Sequence, residues 1–241
     1  MRIAVYLDEF YTQKGNLVSV SPEQASRFAK EVAGDFNPIH NPDAKRFCVP
    51  GDLLFSLILA KVGLSQQMSV TFSGMVGRGV DLIFPEKTDG KVDLIDEKGK
   101  VYTHVESAGD STTDSTVIEK LSKEYVAFSG QNFPFVMVPL MRKHQVMFNT
   151  KRPLVMYESM SFKLDRVDLA APTLTLVESS LDIDGKRGEV HFLFDIKDGD
   201  EVIGQGDKKL LVGGLMPFDE EQMNAMIEQF TEFKQAYLSN L

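Results

Sequence analysis

The sequence has little of three things: cysteine, positive charge and long apolar runs. It contains one cysteine, which excludes an intramolecular disulfide and favours a reducing compartment. Its net charge of -9 disfavours general nucleic-acid binding, because the phosphate backbone of a nucleic acid requires a basic surface. No uninterrupted apolar run reaches about 18 residues, so a membrane-spanning helix is not expected.

The amino-terminal residues lack the apolar core of a secretory signal, because Asp8 and Glu9 interrupt the first apolar run. We therefore expect a cytoplasmic protein with no membrane partner. The composition is typical of a globular protein, with 43% hydrophobic and 25% charged residues. A length of 241 residues allows one large domain or two small ones.

The most informative segment is residues 33–40, which read Ala-Gly-Asp-Phe-Asn-Pro-Ile-His. It places an acid, Asp35, and an imidazole, His40, five residues apart in a short loop. Pro38 forces the residue before it to be extended, and Asn37 can bond its own backbone, so both are predicted to position the loop. An acid and an imidazole held close together are the groups that general acid–base catalysis uses.

Two helices are predicted on either side of this loop. Residues 21–32 have Ser21 as N-cap, Pro22 at the first helical position and Gln24 completing a capping box. Gly34 is the expected end of this helix. Residues 49–64 are apolar on nearly every face, which predicts a helix buried all round.

The rest of the chain predicts strands separated by turn signals such as Asp-Gly and Lys-Gly, together with further helices. Strands are expected at residues 70–85, 91–108, 160–169, 173–183, 188–196 and 202–212. Helices are expected at residues 114–128, within 133–148 after a turn at 129–132, and at 219–238. The last helix is amphipathic with Asp219 as N-cap, and its apolar face is expected to pack onto its own domain or onto a dimer mate.

The loop and its flanking helices resemble the MaoC-like branch of the hotdog superfamily, which includes R-specific enoyl-CoA hydratases. In that branch a Gly-Asp-x-Asn-Pro-x-His loop follows a helix with a Phe-Ala pair and precedes a buried central helix. The matching residues here are Phe28, Ala29, Gly34, Asp35, Asn37, Pro38 and His40. The resemblance implies an α+β hotdog fold, in which an antiparallel sheet wraps around a central helix.

A buried helix followed by an antiparallel meander occurs twice in the predicted elements. We therefore interpret the chain as a tandem double hotdog with a C-terminal amphipathic helix, its halves being residues 1–115 and 116–241. Hotdog domains usually pair through their sheet edges, and a tandem copy would do so within one chain. The alternative is a single hotdog with a long insertion between helix and sheet, and a homodimer also remains open.

The resemblance further implies a lyase that adds water to 2-enoyl thioesters, or removes it from 3-hydroxyacyl thioesters, on coenzyme A (CoA) or acyl carrier protein. Asp35 would be the base, and His40 would orient the water and move the proton, with no cofactor or metal. Two other functions remain open. One is a non-catalytic hotdog protein that binds an acyl thioester or a protein partner, and the other is an acyl-CoA thioesterase.

In hotdog enzymes the thioester oxygen is stabilised by backbone amides at the amino end of the central helix. The resemblance assigns this role to Gly51, with Ser56 lining the pocket further along. If the halves pair, Gly130 at the start of the second apolar helix is the alternative. Asp52 would oppose a negative charge at this position unless its carboxylate points away.

Other residues near the motif have weaker signals. Lys45 and Arg46 would hold a phosphate of CoA or of the carrier through charge-assisted contacts. Cys48 lies close to the predicted site, but nothing in the sequence around it would activate a thiolate. The remaining histidines have no acidic or cysteine partner at metal-ligand spacing, so no metal site is predicted at His104, His144 or His191.

Overall fold

The computed structural model describes residues 5–130, 132–150 and 153–240. Its α-helices are α1 Pro22–Arg27, α2 Gly51–Val62, α3 Ser115–Gly130, α4 Asn132–Phe135, α5 Met137–His144 and α6 Glu220–Leu238. Its strands are β1 Thr12–Lys14, β2 Leu17–Ser19, β3 Leu64–Phe72, β4 Asp81–Ile83, β5 Lys91–Asp96, β6 Val101–Thr112, β7 Val146–Met147, β8 Leu154–Leu164, β9 Pro172–Asp184, β10 Arg187–Asp198, β11 Glu201–Gly213 and β12 Met216–Pro217. Short 3-10 turns lie at Val5–Leu7 and Pro38–His40.

Within the described residues, ten strands form one sheet in the order β1-β2-β4-β5-β6-β3-β8-β11-β10-β9, and every pairing is antiparallel. Strands that precede α3 occupy one side of this order, and strands that follow it occupy the other. The two sides meet where β3 pairs with β8, with Val70 opposite Met160. The chain therefore has an α+β fold built on an antiparallel sheet, as predicted.

The helix that leads into the motif begins and ends at the predicted residues. Ser21 and Gln24 form a complete capping box, each side chain accepting a hydrogen bond from the other residue's N–H. After α1 the chain continues as a π-helical segment, Phe28–Ala33. Gly34 ends it with a φ of 67°, a left-handed conformation that glycine adopts without steric cost.

The central helix α2 is enclosed on every side, as its sequence predicts. Its residues 52–60 are all buried. Each fully buried Leu, Ile or Phe of this kind contributes about 1.5–3 kcal/mol relative to an exposed position. α3 lies against α2, where the ring centroids of Phe55 and Tyr125 are 4.6 Å apart. At the amino end of α2 the ring of Tyr157 in β8 fills the space beside Gly51.

Among the described residues, the buried apolar side chains form two clusters. The first surrounds α2 and α3 and also includes Phe194 and Ile203 from the carboxy-terminal strands. The second lies between α5, α6 and the strands β9, β10 and β11. The first cluster thus contains residues from both sides of position 115, and the division of the chain into 1–115 and 116–241 stays a prediction.

Three predicted elements differ in part from the structure. The strand expected at 70–85 begins earlier, at Leu64, and ends at Phe72, and the chain rejoins the sheet only for the short strand β4. The helix expected within 133–148 is present as α5, but it begins only at Met137 and is preceded by the short α4, because Pro134 holds Phe133 in an extended conformation (φ -109°, ψ 131°); β7 follows it. The turn expected at 129–132 is also displaced: α3 continues through Gly130, and Gln131 lies outside the described residues.

The carboxy-terminal helix α6 begins after Asp219, as predicted. The carboxylate of Asp219 accepts a hydrogen bond from the N–H of Gln222, and the Gln222 side chain donates back to the same carboxylate. The apolar face of α6 packs onto its own chain, where Met223 is fully buried in the second cluster. None of the helices in the described ranges has the length and hydropathy that a bilayer-spanning segment requires.

Candidate active site

The motif loop holds Asp35 and His40 side by side. Oδ1 of Asp35 accepts a hydrogen bond from the N–H of Asn37 at 2.8 Å, and Oδ1 of Asn37 accepts one from the N–H of Ile39 at 3.1 Å. Pro38 opens the 3-10 turn that ends at His40. These two side-chain turns and the fixed φ of proline make the loop backbone rigid.

The two functional groups face each other across a short gap. Oδ2 of Asp35 lies 3.5 Å from Nε2 of His40. Nδ1 of His40 lies 2.7 Å from the carbonyl oxygen of Cys48, and because a carbonyl can only accept, Nδ1 carries the proton. A gap of 3.5 Å is long for a direct hydrogen bond, and it lets Oδ2 and Nε2 contact the same water.

Asp35 and His40 also shift each other's pKa values. Burial by itself would raise the pKa of Asp35 and lower the pKa of His40. The attraction between the two groups, together with their backbone hydrogen bonds to Asn37 and Cys48, outweighs burial, so the pKa of Asp35 is lowered and that of His40 is raised. Asp35 is therefore a carboxylate at neutral pH, which is the form that a general base requires.

Asp35 and His40 line a cavity of about 660 Å³, a size suited to a small-molecule ligand. The cavity also includes Gly51 at the amino end of α2. Its remaining wall is largely apolar and includes Phe36, Phe133, Phe148, Met226, Phe230 and Phe233. Met75 and Phe233 line the cavity and are 44% and 57% exposed, so the cavity reaches the protein surface.

Helix α6 covers the motif loop from outside. Phe36, between the two catalytic candidates in sequence, contacts the rings of Phe230 and Tyr237, each with ring centroids 5.9 Å away. The hydroxyl of Tyr237 donates to Oε1 of Glu31 at 2.8 Å. The carboxy-terminal helix therefore contributes both to the cavity wall and to the packing of the loop.

The three predicted oxyanion or pocket residues have different outcomes. Gly51 lies at the first turn of α2, where helix N–H groups have no intrahelical partner, and no side chain caps this helix. Gly130 lines the cavity, but it is the last residue of α3, where carbonyl groups rather than N–H groups are free. Ser56 does not line the cavity, because it faces α3, where it donates to the carbonyl of Asp52 and accepts from Ser122.

The remaining candidates near the motif are less central. Lys45 and Arg46 are exposed and are not part of the cavity wall, so a phosphate contact there would involve a ligand group outside the cavity. Cys48 lines the cavity, but burial raises the pKa of its thiol to about 11, which disfavours a thiolate nucleophile.

The other histidines lie away from the cavity. Nδ1 of His104 is 2.8 Å from Oδ1 of Asp93 at the surface. His191 contacts the carboxylate of Glu189 on its own strand, β10, and that of Asp207 on the neighbouring strand β11. His144 is the last residue of α5. The Asp93–His104 pair is thus an exposed counterpart of the motif pair, and neither of its residues lines this cavity.

A second charged cluster lies in the cavity wall, and it is absent from the sequence-based prediction. Oδ2 of Asp52 accepts a hydrogen bond from Oγ of Ser129 at 2.6 Å. Nζ of Lys208 donates to the same Ser129 Oγ, lies 3.6 Å from Oδ1 of Asp52 and sits 4.3 Å above the ring of Tyr157. Asp52 is therefore not an isolated negative charge at the amino end of α2, because Lys208 offsets it.

Two sequence signals point to Lys208 once the sheet is known. The buried residues of β11 are Ile203, Gly206, Lys208, Leu210 and Val212, and from Gly206 onward they alternate with less buried ones. A lysine in an apolar register of this kind requires a partner. Asp52, the one charged residue within the buried stretch 52–60, is the complementary signal.

Gly130→Ala is expected to destabilise the protein by about 1–3 kcal/mol, which is the typical cost of an overpacked site. A β-carbon at Gly130 would collide with the carbonyl oxygen of Ala33, a backbone atom directly before the motif. Gly77→Ala is the matched control, because the nearest atom to its new β-carbon would be 3.8 Å away. Urea unfolding of both variants measures the difference, and equal stabilities would show that the contact between α3 and the loop is not tight.

Comparisons with solved structures found proteins that are weakly similar to this chain. A conserved protein of unknown function with a hot dog fold from Alicyclobacillus acidocaldarius is 9% identical, with a TM-score of 0.44 over 88% of this chain and 99% of that one. A protein described as a MaoC domain dehydratase from Chloroflexus aurantiacus is 9% identical, with a TM-score of 0.43 over 79% and 91%. An acyl-CoA thioesterase II from Mycobacterium marinum is 10% identical, with a TM-score of 0.40 over 67% and 88%. Similarities at these levels carry no argument for one activity over another.

No curated protein matches this chain. A family described as "Protein of unknown function (DUF3581)" matches residues 5–221. This match spans the motif loop, both charged clusters of the cavity and the start of α6. The chain therefore belongs to the family of proteins of unknown function described as DUF3581.

Proposed function

We propose that this protein is a hydratase or dehydratase of the MaoC-like type, acting on 2-enoyl or 3-hydroxyacyl thioesters. The observation that carries the proposal is the pair Asp35 and His40, whose Oδ2 and Nε2 atoms lie 3.5 Å apart in the wall of a cavity that reaches the surface. The lowered pKa of Asp35 supports its role as the base. The apolar cavity wall suits an acyl chain.

The pair supplies the acid–base chemistry of the reaction. A water held between Oδ2 of Asp35 and Nε2 of His40 attacks C3 of the enoyl group, and its proton passes to Asp35. Because the pKa of His40 is raised, its imidazole carries a second proton on Nε2, and this proton is transferred to C2. Transfer of the proton from Asp35 to His40 restores the pair, so one water is added overall. Dehydration is the reverse of these steps.

Negative charge develops on the thioester oxygen when water attacks C3. In the proposed mode of binding this oxygen lies at the amino end of α2, beside the uncapped first turn at Gly51. Helix N–H groups aimed at such an oxygen stabilise the transition state more than the ground state. The thioester carbonyl therefore points to Gly51 while C3 lies next to Asp35 and His40.

We also propose that the architecture is a tandem double hotdog with halves 1–115 and 116–241. The support is that strands from before and after α3 occupy opposite sides of one sheet and meet at β3 and β8. Joining two half-sheets edge to edge removes two exposed edges within one chain. In this arrangement the motif comes from the first half, while Tyr157 and Lys208 reach the same cavity from the second.

The test is the product that purified protein forms from a short enoyl thioester. With crotonyl-CoA we expect 3-hydroxybutyryl-CoA without release of free CoA thiol, and the reverse reaction from 3-hydroxybutyryl-CoA. Release of thiol from acyl-CoA would instead identify a thioesterase. Binding of the thioester without either product would identify a non-catalytic binding protein, and either result would refute the proposal.

A further inference from the structure

Lys208 is a buried cation that the proposed acid–base chemistry does not use. It lies on the inner face of β11 and is 3% exposed. Its neighbours across the sheet are Phe192 on β10 and Met160 on β8, both of which are buried. Burying a charged group among apolar side chains is costly unless it is paired, so the position of Lys208 requires a physical reason.

The neighbours of Lys208 accept only some of the hydrogen bonds that its ammonium group can donate. An ammonium group has three N–H donors, and one of these bonds to Oγ of Ser129. The nearest oxygen of Asp52, Oδ1, is 3.6 Å away, which is too long for a hydrogen bond, and this buried oxygen has no hydrogen-bond partner among the residues that the structure describes. The ring face of Tyr157 provides a cation–π contact but no acceptor oxygen. Lys208 can therefore donate to one more acceptor.

Lys208 belongs to the wall of the cavity in which a ligand would bind. Lys208, Asp52, Ser129 and Tyr157 all line the cavity that contains Asp35 and His40. The ring of Tyr157 contacts Nζ of Lys208 on one face and also fills the space beside Gly51. Nζ of Lys208 is thus next to the amino end of α2, the position assigned above to the thioester oxygen.

The negative charge of Asp52 determines which kind of ligand group Lys208 can bind. The carboxylate balances the charge of Lys208, so the pair as a whole is neutral. A ligand carboxylate or phosphate would be drawn to an unpaired cation, whereas Asp52 repels it. A carbonyl oxygen needs a strong donor but no net positive charge, and it gains from the ammonium as negative charge develops on it.

We infer that Lys208, held by Asp52 and Ser129, donates a hydrogen bond to the thioester carbonyl oxygen of the bound acyl group. The inference rests on the proposed function and adds a side-chain donor to the backbone N–H groups of α2. Lys208 is then a catalytic residue, because it contacts a reacting atom. Asp52 and Ser129 are positioning residues that act through Lys208.

The test uses butyryl-CoA labelled with ¹³C at the carbonyl carbon, which binds but has no double bond to hydrate. Isotope-edited infrared spectra are expected to show a carbonyl band shifted to lower frequency in the wild-type complex. The shift is expected to be smaller in Asp52→Asn, where Lys208 loses the charge that holds it, and to be lost in Asp52→Asn/Lys208→Met, with less than about a tenfold change in Kd. The neutral double variant is chosen because it leaves no unpaired buried charge. Lys91→Met/Glu106→Gln, which removes an exposed ion pair, is the control that keeps the shift.

The outcomes separate the two proposals. A band shift that is unchanged in the double variant overturns the role of Lys208 and leaves the proposed function standing. Failure of the wild-type protein to bind any acyl-CoA overturns both. Should the double variant not fold, ¹⁵N-lysine labelling of the wild-type protein replaces it. The buried Nζ resonance is then expected to move when butyryl-CoA binds, and an unmoved resonance overturns the inference.

Discussion

Replacing Asp35 with Asn is expected to lower kcat/KM for hydration of crotonyl-CoA by about 10²–10⁴-fold, the range that a general acid or base contributes. The amide oxygen of Asn can still accept the hydrogen bond from the N–H of Asn37, so the loop keeps its shape. The amide cannot accept a proton from water, so only the chemistry is removed. The measurement is steady-state kinetics of crotonyl-CoA consumption.

A matching loss is expected for His40→Asn. The amide nitrogen of Asn can take the place of Nδ1 and donate to the carbonyl of Cys48, while the Nε2 position is left empty. Because Asp35 and His40 act on the same water, the double variant is expected to be about as slow as either single variant rather than the product of both losses.

The chain offers a matched control for both changes. Asp93 and His104 form an exposed acid–imidazole pair with a separation of 2.8 Å, and neither residue lines the cavity. Asp93→Asn and His104→Asn are expected to leave kcat/KM unchanged. Hydration that survives Asp35→Asn and His40→Asn at the wild-type rate would refute the role of the motif, whatever the control variants do.

Local sequence signals predicted the elements around the motif because each depends on a few neighbouring residues. The capping box of Ser21 and Gln24, the left-handed end at Gly34 and the N-cap at Asp219 are all short-range arrangements. The same is true of the loop, where Asn37 and Pro38 fix the backbone within two residues of themselves. The fold class was implied by the resemblance of the loop and its flanking helices, together with the strands that the turn signals separate.

The positions of Gly130 and Ser56 relative to the cavity depend on long-range packing, which the sequence pattern could not predict. Gly130 was expected at the start of a helix, but it ends α3, and its position is determined by close contact with the carbonyl of Ala33 almost a hundred residues earlier. Ser56 has a suitable position along α2 for a pocket residue, but the side of the helix that it occupies faces Ser122. Helical spacing predicts which residues share a face of a helix, but only the fold determines what that face contacts.

The pairing of Lys208 with Asp52 also depends on long-range packing and could not be predicted from the sequence. It lies 156 positions after Asp52 in the sequence, and no spacing rule connects the two. Their proximity depends on β11 reaching the amino end of α2 through the sheet, together with Ser129 at the carboxy-terminal turn of α3. A buried acid in an otherwise apolar helix therefore predicts that a cation exists, but the fold determines which one.

The largest expected effect on stability follows from this pair. Lys208→Met is expected to lower the free energy of unfolding by about 3–5 kcal/mol, because it leaves the carboxylate of Asp52 buried without a counter-charge. The side chains of Lys208 and Asp52 are only 4% and 11% exposed, so solvent cannot replace the lost partner. Asp52→Asn is expected to cost less, because burial already lowers the pKa of Lys208 and the lysine can become neutral by losing a proton.

The double variant Asp52→Asn/Lys208→Met is expected to be within about 1 kcal/mol of the wild-type protein, because replacing a whole buried ion pair with neutral groups is often close to neutral. Urea unfolding of the four proteins gives the coupling energy as the departure from additivity. The same cycle at Lys91 and Glu106, whose side chains are 70% and 61% exposed, is the control and is expected to give less than about 1 kcal/mol. Additive effects at Asp52 and Lys208 would mean that the two charges do not stabilise each other.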